Sequence, residues 1–420
     1  MKLSNFTISS AVYYSILLLQ SCGIKTVSSW SQITERQSGT TVHLRKGKFR
    51  PIATLAVPEN THILGNHTTL YFDENSEFPL VTFSSVANSE LFGVNFRGAA
   101  LIDERSTEFL EKFKYNNLLT INDSRKIAIS DCGFQNSYGT VLKITDSNKV
   151  DITSCQFDKI GVSCDPKASY TYDGIFVGGY KDVHDISISN CSFSSIGSLF
   201  PSRKPNWPND GDGIHIQSAG KSSDIKIFDN KFSACTARGV KIQTGNRISL
   251  VGNVFSDCGS AVNLAMAQSL DQIEIKENRI INCKYSFGSD CLDTDYNTAS
   301  NISIINNKVD SCVHFFRTSG NSTLKNALIS GNSVQNTGTF FLAGRFVSSI
   351  VENNRIGKYA TRNDPDYNMI IYISPESENL TIRNNVFGKS PYSRREIENF
   401  SKNKILIEHN RFIPTLQTRK

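Results

Sequence analysis

The chain lacks a strong charge of either sign: 45 lysines and arginines stand against 39 aspartates and glutamates, a net +6 over 420 residues. The cations are scattered among the acids, so no basic stripe marks a nucleic-acid surface and no nucleic-acid partner is expected. Beyond Leu19 there is no apolar run long enough to cross a bilayer. No Cys-x-x-Cys pair occurs among the 10 cysteines, which removes the usual structural zinc spacing, and no metal is expected. The Leu-x-x-Leu-x-Leu block of a leucine-rich repeat is also missing.

What is present begins with a leader. Met1-Lys2 precedes an apolar stretch from about Ile8 to Leu19 and then Gln20-Ser21-Cys22-Gly23. That is a secretory pattern over residues 1–22. Leu19-Gln20-Ser21-Cys22 also has the form of a bacterial lipobox, in which Cys22 would carry the lipid. The expected location is therefore exported: periplasmic, an outer-membrane lipoprotein or secreted, with the membrane touched only through such an anchor.

A short polar turn then recurs eleven times: Asp131-Cys132-Gly133-Phe134, Ser154-Cys155-Gln156-Phe157, Asn190-Cys191-Ser192-Phe193, Asp229-Asn230-Lys231-Phe232, and onward through Asn253, Asn278, Asn307, Asn332, Asn354, Asn385 and Asn410. Most spacings are 22 to 31 residues, the period of a unit that buries its apolar face only against its neighbours. Alternating runs such as Ile186-Ser187-Ile188 and Ile225-Lys226-Ile227 precede the turns, and period-two alternation of β-branched residues means strands. Asparagine suits the turn because it tolerates left-handed backbone and its amide bonds nearby groups. The reading is an all-β, single-stranded right-handed parallel β-helix of about 11 or more coils.

Residues 28–72 differ in character and are read as an N-terminal cap with the first coils, residues 73–412 as the helix, and 413–420 as a basic tail. Cys132, Cys155 and Cys191 fall in the asparagine column, and Cys235, Cys258, Cys283 and Cys312 in a second one. Reduced, buried thiols are expected there.

A further strand opens each coil: Thr140-Val141-Leu142-Lys143, Asp173-Gly174-Ile175-Phe176, Asp212-Gly213-Ile214-His215, Arg238-Gly239-Val240-Lys241, Ala261-Val262-Asn263 and His314-Phe315-Phe316-Arg317. One column then holds Asp173, Asp212 and Arg238, and a second holds Lys143, Phe176, His215, Lys241, Asn263 and, past a coil with no clear alignment, Arg317. The two share a face only if the Asp-Gly step bends the strand. Lys143 and Arg317 are read as ordinary exposed residues. Two spacings are oversized, 36 residues from Cys155 to Cys191 and 39 from Cys191 to Asn230. The surplus lies just before Asp173 and Asp212, and the second insert carries Arg203 and Trp207, suited to one wall of a sugar-binding groove.

The run Tyr172-Asp173-Gly174-Ile175, Asn209-Asp210-Gly211-Asp212-Gly213-Ile214-His215 and Ala237-Arg238-Gly239-Val240-Lys241 resembles the pectin-lyase-like β-helix superfamily, and most of all its polygalacturonase-type glycoside hydrolases. Those enzymes carry Asn-Thr-Asp-Gly, then an Asp-Asp pair, a Gly-His-Gly and an Arg-Ile-Lys. Here Gly211 splits Asp210 from Asp212, and His215 lies on the Asp212 strand. The resemblance implies catalytic Asp173, Asp210 and Asp212, and a substrate-carboxylate clamp of Lys241 and Arg238; His215 is added as a tuning group, with Asn263, Arg203 and Trp207 on the binding side.

The expected function is hydrolysis of an acidic polysaccharide, with Asp212 as acid and Asp173 with Asp210 as base. No cofactor is required for it. Two alternatives stand beside it. One is a lyase or epimerase acting on uronic acid polymers, for which calcium at Asp290, Asp293 and Asp295 is the conceivable cofactor. The other is a non-catalytic glycan-binding or capsule-assembly protein.

Overall fold

Alternation in the sequence becomes stacking in the fold. The computed structural model describes residues 23–72, 78–98, 117–137, 139–161, 172–197, 211–291, 297–319, 322–338, 340–357, 370–388 and 397–413. Each regular coil contributes three strands, as in Leu142–Thr145, Asn148–Thr153 and Gln156–Ile160. Each strand pairs in parallel with its counterpart one coil away. The first strands of the coils form one sheet of 13, from Leu55–Ala56 to Ile397–Asn399. Parallel connections of this kind wind right-handed, giving the expected solenoid. Near the N-terminus Thr34–Ser38 pairs antiparallel with Thr41–Leu44, and the Trp30 indole donates to the Ala56 carbonyl at 2.8 Å.

In-register stacking puts like side chains on one another. Phe96, Phe134, Phe157, Phe193, Phe232 and Phe255 form a continuous pile with ring centroids 4.6 to 4.9 Å apart and planes within 8°. All six are at most 1% exposed. Isoleucines of the flanking strands fill the rest of the core. At roughly 25 cal/mol per Å² of apolar surface, such columns supply most of the driving force for coil stacking.

The asparagine ladder is built as a chain of amides. Asn253 Nδ2 donates to Asn278 Oδ1 at 3.1 Å and to the Ile227 carbonyl at 2.8 Å, while its Oδ1 accepts from Asn230 N and Nδ2 at 3.0 and 3.1 Å. The pattern repeats to Asn410. One detail differs from the expectation. The left-handed residue is not the ladder asparagine but the one before it: Asp131, Ser154, Asn190, Asp229, Glu277, Asn306, Asn353, Asn384 and His409 have φ of 51° to 57°. The preceding residue makes the turn, and this frees the asparagine to point inward. Cys132, Cys155 and Cys191 take the same position, and the thiol of Cys191 points at the Ile152 carbonyl from 3.8 Å. Cys132, Cys155, Cys191, Cys235, Cys258, Cys283 and Cys312 are all free and buried. Burial pushes the Cys312 thiol up to about 12.

Candidate active site

Glycine decides where the two polar columns meet. In the strand Gly211–Ser218, Asp212 and His215 both face outward, although an ideal strand would send residues three apart to opposite faces. The bend falls at Gly213, whose vacant Cβ position lies 2.6 Å from the Gly239 carbonyl oxygen and 2.7 Å from the Phe232 ring. Gly174 and Gly239 sit against Phe193 and Phe255 in the same way. Two successive residues, Gly213 and Ile214, thus turn toward the core, and the outward face carries Asp212 beside His215. Gly213→Ala is therefore expected to lower stability by about 1–3 kcal/mol and to cut any activity of the site with it. Chemical denaturation checks this, and a fully stable Gly213→Ala protein would contradict the bend.

Pairing then assembles the cluster from three coils. Asp173 aligns with Asp212 and Arg238, and Phe176 with His215, Lys241 and Asn263. His215 Nδ1 lies 3.4 Å from Asp173 Oδ2. Arg238 reaches Asp212 Oδ1 at 3.4 Å, and Lys241 Nζ is 3.8 Å from Asp212 Oδ2. Asp173, Asp212 and His215 are at most 2% exposed, and Lys241 5%. Phe176 meets the imidazole edge-on with centroids 5.4 Å apart.

Two supporting residues were not foreseen. Thr140 stands one coil before Asp173; its hydroxyl accepts from Asp173 N at 3.1 Å and donates to Asp173 Oδ2 at 3.4 Å. Gln243 Oε1 bonds His215 Nε2. Gln243 lies two residues after Lys241 on the same face, so period two could have found it. With Nε2–H donated to that oxygen, Nδ1 is left facing the Asp173 carboxylate.

Burial pushes the Asp212 carboxyl up from its ordinary value of 3.8, and the charge of Asp173 adds to the rise; Arg238, Lys241 and His215 pull against it. Asp173 Oδ1, Asp212 Oδ2 and His215 Nδ1 are buried without a hydrogen bond. One ligand atom from each of these three residues lies within 4.8 Å of the others, a set that could hold a metal ion. Two cations already flank Asp212, however. The cluster is thus better matched to holding a proton than a divalent ion.

Of the other candidates, Asn263 lies on the next coil beyond Lys241. Asp210, Arg203, Trp207 and Cys22 lie outside the described residues, as do Asp293 and Asp295. Among the described residues no helix is long and apolar enough to cross a membrane.

Stacked three-strand coils, an inward amide ladder and a polar cluster on the outer sheet define a parallel β-helix protein. The chain belongs to the right handed beta helix region family, whose profile matches residues 117–356. No curated protein sequence matches it. Among solved structures it is similar to the catalytic unit of a thermostable GH87 α-1,3-glucanase from Streptomyces thermodiastaticus, at 14% identity and TM-score 0.58 over 90% of this chain and 68% of that one. It is also similar to PfbA, a surface adhesin of Streptococcus pneumoniae, at 12% identity and TM-score 0.52 over 92% and 90%. A hyperthermoactive exopolygalacturonase from Thermotoga maritima aligns at 12% identity and TM-score 0.44 over 96% and 87%. A glucanase and an adhesin on one scaffold mean that function has to be argued from the site.

Proposed function

We propose that the chain hydrolyses glycosidic bonds of an acidic polysaccharide, with Asp212 as general acid and Asp173 as the base that activates water. One observation carries this reading: two carboxylates buried together against two cations, with burial holding Asp212 toward its protonated form. A merely structural column has no use for buried oxygens without hydrogen bonds. Such a pair separates the two roles hydrolysis needs, a proton donor and a proton acceptor. His215, fixed by Gln243 and facing Asp173, positions that base and can pass on its proton. Lys241 and Arg238 steer an acidic substituent toward the acids.

Asp173 and Asp212 are closed to solvent, whereas Lys284 and Arg317 are exposed and Arg238 is half-buried. Substrate therefore approaches over the cations. Asp210 is the remaining candidate base. Export through residues 1–22 belongs to the same reading, since polysaccharides of this kind lie outside the cell.

The direct test incubates purified protein with a panel of acidic glycans while following reducing ends and ultraviolet absorbance. New reducing ends without absorbance support hydrolysis. Absorbance near that of an unsaturated uronate would replace it with elimination, and binding without either product would replace it with a glycan-binding role. Arg238→Gln gives a second check. Arg238 draws the Asp212 carboxyl down, so its removal lets that carboxyl rise further. The basic limb of the kcat/KM profile, where the acid loses its proton, should move to higher pH. A limb that stays in place or moves down would take Asp212 out of the acid role.

A further inference from the structure

Gly288 interrupts the outward column that runs through Phe176, His215, Lys241, Asn263 and Arg317. Its Cβ position is open, with the nearest atom, Asn263 Nδ2, 3.6 Å away. This glycine serves no turn and relieves no clash; it leaves a hollow. The resulting cavity has a volume of about 400 Å³ and is lined by Arg238, Ser260, Asn263, Lys284, Tyr285 and Arg317, with Phe287 and small residues completing the wall. That is room for a sugar unit with its substituents.

All of its charged liners are cations. Arg238 is engaged with Asp212. Lys284 and Arg317 have no carboxylate partner among the described residues. Lys284 Nζ lies 5.2 Å over the Tyr285 ring, which stacks on His314 with centroids 5.3 Å apart and planes within 7°. A cation on an aromatic ring is thus held at one wall and a guanidinium at another, around a space with no compensating charge among the described residues that line it.

We propose that this hollow is a subsite for an anionic substituent, a carboxylate or a sulfate, on a sugar lying three coils beyond Asp212 toward the C-terminal end. Tyr285 is three coil positions from Asp212, by way of Arg238 and Ser260. At ~4.8 Å per coil this is about 14 Å. Arg317 can hold either anion with paired N–H donors, and Lys284, held over Tyr285, adds a point charge. The inference rests on the glycan-processing reading and adds to it, because Gly288, Lys284 and Arg317 take no part in the acid–base step. It makes the cluster one-sided: the substrate is fixed by its charge on the C-terminal flank and cut beside Asp212.

The test is calorimetric titration of the full chain with an oligogalacturonate, the same oligomer with its carboxyls reduced to alcohols, and a sulfated galactan oligomer. The proteins are wild type, Lys284→Ala with Arg317→Ala, Gly288→Leu, and Gly288→Ala as a control that leaves the hollow open. One charged oligomer should bind wild type and Gly288→Ala alike, and which one does so tells carboxylate from sulfate. The double variant and Gly288→Leu should each bind it ten- to a hundredfold more weakly, as should wild type the reduced oligomer. Binding should also weaken with salt. Equal binding by wild type and the double variant overturns the subsite, as does failure of both charged oligomers to bind; should Gly288→Leu not fold, the double variant decides. Charge-dependent binding with no cleavage leaves the subsite and sinks the hydrolase. Cleavage whose KM ignores Lys284 and Arg317 does the reverse.

Discussion

Asp212→Asn is expected to reduce kcat/KM on the cleaved glycan by about 10²–10⁴, the usual contribution of a general acid, while glycan affinity stays within a few-fold. The carboxamide keeps the shape of the side chain and its place against Arg238 and Lys241 but has no proton to give. The carboxyl of Asp212 is raised by complete burial and by Asp173. In the wild type, therefore, the folded chain holds a proton that the unfolded chain has released, in the window above the ordinary value of 3.8. The sign follows directly: this group's contribution to stability is fully present below that value and is lost as pH rises through the raised folded value. Asp212→Asn should lack that part of the pH dependence, and comparing unfolding midpoints of the two proteins across pH 3 to 8 isolates it. Retention of most activity in Asp212→Asn would end the acid assignment, whatever the stability data show.

The second large effect is structural. Asn253→Ala is expected to cost about 2–5 kcal/mol, because a buried amide that donates twice and accepts twice disappears at once. The backbone N–H of Asn230 loses its acceptor, the Ile227 carbonyl loses a donor, and neither is reached by water. Asn253→Cys should recover roughly half of that loss, since a thiol at this position accepts one N–H and faces one carbonyl, as Cys191 does toward Cys155 N at 3.4 Å and the Ile152 carbonyl at 3.8 Å. Urea unfolding of the three proteins is the measurement. Equal midpoints for wild type and Asn253→Ala would show that the ladder decorates the turn without supporting it.

Much of the architecture could be read from the chain because a solenoid writes its geometry as a period. The turn residues, the isoleucine alternation and the two cysteine columns each report a single stacked position, and the structure stacks them so. Asp173, Asp212 and Arg238 in one file and His215, Lys241 and Asn263 in another could likewise be found from alternation. The bend that joins the two files rests on what a glycine omits, which no side-chain pattern displays. Thr140 and Gln243 escaped because a supporting residue has no chemistry of its own to attract notice; each is defined only by what it touches. The coil Tyr285–Cys291 resisted alignment because Gly288 leaves its column position empty. That same vacancy makes Arg317 a cavity wall, although it reads in sequence as an isolated surface cation. The left-handed residue was misplaced by one because asparagine is competent for both jobs, and only three-dimensional pairing assigns them.

The ladder also changes material at one place. Its rungs are thiols at Cys132, Cys155 and Cys191 and amides from Asn230 onward, so the change falls between the coil that carries Asp173 and the coil that carries Asp212. On the amide side, neighbouring rungs are tied by two bonds through each Oδ1; at the junction Cys191 N alone reaches Asn230 Oδ1, at 2.9 Å. A force pulling along the solenoid axis would meet a stiff segment and a softer one spliced together beneath the acids. Small changes in coil separation would fall mainly on the thiol side, the segment that carries Asp173, and so shift one carboxylate relative to the other.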